Sequence, residues 1–308
     1  MATYNGEKYI ENQILSLFQQ TYKNWTLYIH DDGSSDNTVQ IIKKYSEIDD
    51  RIIFIEDTIK GLKAGKNFLH TLSYSQADYA IFCDQDDIWL SNKVTDTLQV
   101  LKEKEKGNVP VCVHTDLKIV DNELKVLHNS MIESQSLYKQ DTLNNLLVQN
   151  SVTGCTMAIN DELKYILSDR VNMNNIVMHD WWIALVAASF GIVELLDAPT
   201  ILYRQHENNE VGAKTLIDKL SSGYGKKELL ISIVKTFVQA KELKVCFGKE
   251  LPLDKHERIQ FYLSKVESNQ LNLKWFKAYK KNGWLRNNMF RVLLTLQLSS
   301  IKDLYKNY

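Results

Sequence analysis

The chain has 308 residues, of which 44% are hydrophobic and 24% charged, with a formal net charge of −1. That length suffices for one large core or two modest ones. So balanced a charge gives no whole-molecule field for nucleic acid or membrane, and any such attraction must be local. The cysteines Cys83, Cys112, Cys155 and Cys246 form no CxxC pair and have no histidine at metal-ligand offsets, which favours buried free thiols in a reducing cytosol.

In chain order, "EKYIENQILSLFQQ" (7–20) places Ile10, Ile14, Leu17 and Phe18 at helical spacing. "WTLYIH" (25–30) has strand composition, and "SDNTVQIIKKYSE" (35–47) is helical with Ser35 or Asp36 as its cap. A strand "RIIFIE" (51–56), a helix "AGKNFLHTLSYS" (64–75) and an apolar strand "YAIFC" (79–83) follow. A helix from about Asn92 to Lys106 and a strand "VPVCVHT" (109–115) complete the series. Such alternation predicts a doubly wound α/β fold with a mostly parallel sheet covered on both faces, and ligands at the carboxyl ends of its strands. "MATYNG" opens in loop-like sequence, so the sheet's usual first strand is expected to be missing. From about Lys214 the pattern becomes wholly helical, dividing the chain into 1–213 and 214–308. The longest apolar block, "WWIALVAASFGIV" (181–193), falls short of the ~20 residues of a membrane span, and no signal peptide is present.

Four segments carry chemistry. "HDDGSSDNT" (30–38) joins a strand to a helix; turn and cap chemistry explains Gly33, Ser34, Ser35 and Asp36, but less readily Asp31 and Asp32. "FCDQDDIW" (82–89) sets Asp84, Asp86 and Asp87 at a strand end, where hard oxygen donors suit Mg²⁺ or Mn²⁺ bridging to substrate phosphates; a solvated loop capping the next helix near Ser91 is the plainer explanation. An aspartyl-nucleophile hydrolase is a rival, but it requires a later GDxxxD-like acidic pair that the chain lacks. "VMHDWW" (177–182) puts Asp180 at a helix start beside two indoles, as an N-cap or as a base in a partly desolvated pocket. "LYRQHENN" (202–209) offers Arg204 for phosphate and His206 near the same strand end.

Together, "MATYNGEKYIENQILSLFQQTYKNWTLYIHDDGSSDNT", "FCDQDDIW", "TGCTMAIN" (153–160), "HDWW" and "LYRQHENNEVGA" strongly resemble, in order, the glycosyltransferases of family 2, which have the GT-A fold. The resemblance covers roughly residues 1–213. Within the family it is nearest to bacterial rhamnosyltransferases that build streptococcal-type cell-wall polysaccharide, which share the "TDLK" stretch (115–118). It implies an inverting, metal-dependent transferase that moves L-rhamnose from dTDP-β-L-rhamnose to a lipid-linked saccharide. Related enzymes take UDP-galactose, UDP-glucose or UDP-N-acetylglucosamine instead, and a non-catalytic nucleotide-sugar-binding protein is the reading of another class.

The resemblance assigns Ala2, Thr3, Tyr4, Asp32, Lys66, Asp84 and Arg204 to the nucleotide sugar. It assigns the Mn²⁺ or Mg²⁺ ion to Asp86 or Asp87 with His206, the acceptor side to Gly154, Cys155, Trp181 and Trp182, and the catalytic base to Asp180. Lys274, Lys277, Lys280, Lys281, Arg286, Arg291, Lys302 and Lys306, against one acid, Asp303, interleave with Trp275, Phe276, Trp284, Leu285, Met289 and Phe290. That mixture suits helices lying on an anionic membrane, which predicts a cytoplasmic protein peripheral to the inner face of the cell membrane. No nucleic-acid motif accompanies the basic tail. A homo-oligomer is compatible with the sequence but not specified by it.

Overall fold

Where apolar residues recur at helical or strand period, the chain forms the corresponding element. The computed structural model describes residues 1–167, 171–206, 225–268 and 273–308. β1 (Ala2–Thr3), α1 (Ile10–Phe18), β2 (Leu27–Asp31), α2 (Thr38–Ile48), β3 (Ile52–Phe54) and α3 (Lys63–Ser73) make the first unit. α1 buries Ile10, Ile14 and Leu17 against Leu27, Ile29, Ile42 and Ile52, each large side chain worth ~1.5–3 kcal/mol when taken out of water. The order β1-β2-β3 is parallel throughout.

The expectation that the opening strand is missing is corrected. β1 is only two residues long, but Ala2 pairs with His30 and Thr3 with Asp31. The Asp32 N–H donates to the Thr3 carbonyl at 2.9 Å. With only Met1 before it and Tyr4, Asn5 and Gly6 after it, so short a strand offers no period to read.

The second sheet is built from β4 (Tyr79–Ile81), β5 (Ile88–Trp89), β6 (Val111–Val120), β7 (Val126–His128), β8 (Ala158–Asn160) and β9 (Ile192–Arg204), ordered β4-β8-β6-β9-β5 with β7 on β6. Here only β6 and β9 run parallel; β4–β8, β6–β8, β5–β9 and β6–β7 are antiparallel. The mostly parallel arrangement therefore describes the first half alone. After α4 (Lys93–Lys104), the β6–β7 turn, in which the Asp121 N–H bonds the Lys125 carbonyl, admits only an antiparallel pair, while the other antiparallel pairs join strands far apart in sequence. α5 (Met131–Ser134), α6 (Leu143–Leu146), α7 (Asp161–Ile166) and α8 (His179–Phe190) pack around this sheet. The chain turns from α8 into β9 at Gly191, where a β-carbon would lie 1.9 Å from the Pro110 carbonyl oxygen.

The C-terminal region is helical as expected: α9 (Lys226–Phe247), α10 (Leu253–Glu267), α11 (Leu273–Ala278), α12 (Trp284–Leu296) and α13 (Leu298–Lys306). The boundary at 213/214 lies outside the described residues. One apolar cluster runs from Phe68 through Trp182, Phe237 and Tyr262 to Phe290 and Tyr305, so these helices share a core with the α/β part. Trp275 and Phe290 are buried in it, which removes two of the aromatics expected at a membrane surface; Trp284, Leu285, Val292 and Leu296 are exposed. Among the described residues, no helix is long and apolar enough to cross a membrane. All four cysteines are free thiols, with Cys83, Cys112 and Cys155 buried.

Candidate active site

A cavity of about 1220 Å³ opens at the carboxyl ends of β1, β2 and β4 and is closed by α3, α8 and α12. Ala2, Thr3, Tyr4 and Asp32 line it. The Asp31 carboxylate is spent on the loop, accepting from the Gly33 and Ser34 N–H groups and from the Thr3 and Ser34 hydroxyls. Both Asp32 oxygens accept backbone N–H bonds, from Leu62 at 2.7 Å and Lys63 at 2.8 Å. Asp32 thus fixes the segment that brings Lys60 and Lys63 to the cavity wall. Lys66, assigned to the nucleotide, is corrected: it is exposed and outside the lining. Ala64, Asn67 and Phe68 are the α3 residues that face the cavity, and a helix turning 3.6 residues per turn carries Lys66 off that stripe.

The acidic cluster divides. Asp84 and Asp86 line the cavity, and Asp86 Oδ2 meets His206 Nε2 at 2.8 Å. Asp87 is fully buried and accepts from the Arg204 backbone N–H at 3.3 Å. Burial, then the charges of Asp86 and Asp84, push its carboxyl well above the ordinary range. Its oxygen, one from Asp84 and the Cys155 sulfur lie within 4.8 Å of one another. Arg204 is also corrected as a phosphate ligand. It is buried; its Nε donates to the Asp86 carbonyl at 3.1 Å and a terminal nitrogen to the Asn122 carbonyl at 2.6 Å, while its guanidinium stacks on Tyr9. The Tyr9 ring also stacks on His206 at 4.8 Å. Arg204 therefore holds the acidic loop from beneath. Buried Lys93 adds positive charge below it, its ammonium lowered to about 8 by burial.

The metal implied by the sequence fits these donors in kind: Asp84 and Asp86 face the cavity, with His206 beside Asp86, and hard carboxylates suit a divalent cation that keeps further positions for phosphate. Gln85 was not anticipated. Its side chain mimics a peptide group, accepting from the Tyr4 N–H and donating to the Tyr4 carbonyl, both at 3.0 Å, so the acidic loop and the β1 end are joined directly.

Asp180 stands in the first turn of α8 and faces the cavity. Oδ2 accepts from the Gly154 N–H at 3.1 Å and Oδ1 from the Trp181 N–H at 2.5 Å. Burial raises its pKa to about 6, against the pull of the Trp181 and Gly154 N–H groups and the Asn150 side chain. The adjacent His179 is packed on Phe68 at 4.3 Å and kept neutral by burial, its pKa lowered to about 3. A β-carbon on Gly154 would stand 3.0 Å from His179 Nε2, so glycine lets the N–H reach Asp180. Of the acceptor-side residues, Gly154 and Trp181 line the cavity, and Trp181 Nε1 donates to the Leu146 carbonyl. Trp182 and Cys155 are corrected: Trp182 lies in the core, and Cys155 is buried against Asp87. Neighbouring helical residues project about 100° apart, so only one of the two indoles can face the cavity.

The remaining wall escaped sequence reading. Arg286, Met289, Phe290 and Leu293 of α12, and Lys281 in the segment before it, reach the cavity. They are held there by the Asn282 N–H to Gln149 Oε1 at 2.9 Å and the Tyr138 hydroxyl to the Lys280 carbonyl at 2.8 Å. Only the basic-aromatic composition of the tail hinted at this.

A family model described as Glycosyl transferase family 2 matches residues 1–163. The dTDP-rhamnosyl transferase RfbG of Shigella flexneri is 31% identical over 223 residues, 69% of this chain and 74% of that protein. The UDP-Glc:alpha-D-GlcNAc-diphosphoundecaprenol beta-1,3-glucosyltransferase WfgD of Escherichia coli is 28% identical over 162 residues, 52% of this chain and 58% of that protein. Residues 1–349 of S. aureus TarS, solved in complex with UDP-GlcNAc, superpose with a TM-score of 0.57 at 18% identity, covering 90% of this chain and 77% of that one. The GT-A architecture expected from the sequence agrees with these matches.

Proposed function

Because this chain belongs to glycosyl transferase family 2 and is a glycosyltransferase, we propose that it moves L-rhamnose from dTDP-β-L-rhamnose to a lipid-linked saccharide, with inversion, in the making of a cell-wall or capsular polysaccharide. The observation that carries the reading is Asp180, a carboxylate in the cavity wall whose pKa of about 6 leaves it ionised yet basic near neutrality. The acceptor hydroxyl oxygen attacks C1 of the sugar as its proton passes to Asp180, and the C1–O bond to the diphosphate breaks. Gly154 and Trp181 N–H groups aim the carboxylate, and neutral His179 fixes the helix start behind it. Ala2, Thr3 and Tyr4 would flank the base of the nucleotide, and Lys60 and Lys63, in the same cavity wall, would offer positive charge to its phosphates. Asp84 and Asp86, with His206, would hold Mn²⁺ or Mg²⁺, which when bound stabilises charge on the departing diphosphate.

Similarity to RfbG favours the rhamnose donor, whereas WfgD, named for UDP-Glc, favours a UDP-hexose. Calorimetric titration of dTDP-rhamnose, UDP-glucose, UDP-galactose and UDP-N-acetylglucosamine, each with Mn²⁺, separates them. Tightest binding of dTDP-rhamnose supports the first, and tightest binding of any UDP-hexose replaces it.

The base also sets a pH profile. Burial raises the Asp180 pKa, so the competent ionised form prevails above about 6 and is lost as pH falls through that value. The rate constant kcat/KM is expected to drop about tenfold per pH unit below about pH 6. A profile flat down to about pH 5 would assign the proton elsewhere.

Attachment to the inner face of the membrane is supported by exposed Trp284, Leu285 and Val292 together with the exposed cations Lys277, Lys280 and Arg291. Co-sedimentation with anionic vesicles is expected to fall severalfold in Trp284→Ser, and equal binding by both forms removes this contact from the reading.

A further inference from the structure

Away from the cavity lining, His30 on β2, Asp57 in the loop after β3 and His70 on α3 converge, with one donor atom from each inside a 4.8 Å group. His30 Nε2 is 3.1 Å from Asp57 Oδ1, and His70 Nε2 is 2.7 Å from Asp57 Oδ2. The Asn67 amide fixes the chemistry of His30. Its Nδ2 donates to the His30 carbonyl at 3.3 Å, which leaves its Oδ1 facing His30 Nδ1 at 2.6 Å. An amide oxygen only accepts, so Nδ1 must carry the hydrogen. Nε2 of a neutral His30 then presents a lone pair to a carboxylate, which is repulsive. The approach is attractive in two cases: the ring holds a second proton while fully buried, or a cation sits between the groups.

We propose that His30, Asp57 and His70 bind a divalent transition-metal ion of the zinc type, at a site separate from Asp84 and Asp86. Two imidazoles and one carboxylate are the donors such ions prefer, whereas Mg²⁺ and Mn²⁺ favour all-oxygen sets. The partly exposed Asp57 and His70 leave one side open for a water as fourth ligand. Asn67, bonded to the far nitrogen of His30, is the outer partner that fixes a ligating ring. Asp57 is fixed in place by two further donors, the Ile59 N–H at 2.8 Å and the Tyr74 hydroxyl at 3.1 Å. The ion would staple the segment after β3 to both β2 and α3. That segment carries Lys60, whose ammonium bonds the Asp31 carbonyl, and Leu62, which bonds Asp32. The ion would therefore be structural, setting the lysine side of the cavity without touching substrate. It does not depend on which sugar is transferred.

The test is a zinc-edge anomalous difference map from crystals of the full chain soaked in Zn²⁺, paired with Co²⁺ titration followed by visible absorption. A peak within bonding distance of His30 Nε2, Asp57 and His70 Nε2 is expected. In solution, a four-coordinate Co²⁺ band is expected to survive excess Mn²⁺. In His70→Ala, whose imidazole is partly exposed, Zn²⁺ affinity is expected to fall at least about tenfold with an unchanged far-UV spectrum. A map with density only at Asp84 and Asp86, or equal Zn²⁺ affinity in the two proteins, overturns the proposal. Nitrogen-15 spectra showing hydrogens on both His30 ring nitrogens in the presence of Zn²⁺ would do the same.

Discussion

Asp180→Asn is expected to lower kcat by about 10²–10⁴-fold, the usual worth of a positioned general base, while nucleotide-sugar affinity stays within about twofold. The amide is isosteric and keeps one oxygen for the Gly154 N–H, losing only the bond from the Trp181 N–H, which its NH2 group cannot accept. What disappears is the acceptor for the hydroxyl proton. Single-turnover transfer and donor titration on the same variant separate the two effects. Loss of donor affinity with transfer per bound donor preserved would make Asp180 a binding residue. Asp180→Glu is the informative companion: it retains a carboxylate but moves it by one methylene, and misplacement on that scale costs about 10²-fold.

Asp86→Asn is expected to weaken Mn²⁺ binding in the presence of nucleoside diphosphate by at least about tenfold and to reduce transfer by roughly 10²–10³-fold, the range for loss of one electrostatic stabiliser. Asp86 faces the cavity and pairs with His206. Asp87→Asn is expected to leave Mn²⁺ affinity nearly unchanged, because that carboxyl is buried, bonded to the Arg204 N–H and outside the cavity lining. Electron paramagnetic resonance of Mn²⁺ measures both variants directly. The reverse order of effects would move the ion to Asp87 and Asp84, beside Cys155.

What could be read from the sequence follows the range of the forces involved. Periodic burial is local, so α1, α2, α3 and the strands between them were legible, as was Asp180 at the head of an apolar helix. Strand direction in the second sheet was not, since the β6–β8 and β5–β9 pairs join segments far apart in sequence. The same limit governs single residues. Trp181 and Trp182 look alike in a motif, but the helical turn separates them into wall and core. Arg204 reads as a phosphate ligand until the Asp86 and Asn122 carbonyls are found to occupy its nitrogens. Gln85 is invisible beforehand, because its significance is a pair of bonds to Tyr4, which no spacing rule encodes.

Arg286, Met289 and Leu293 of α12 enclose the same chamber as Asp180, and all four lie beyond residues 1–163, the stretch that the family model matches. The wall of the chamber is thus assembled from the opening strand and from α12 alike. Removing the final helices would therefore unroof the chamber as well as shorten the protein.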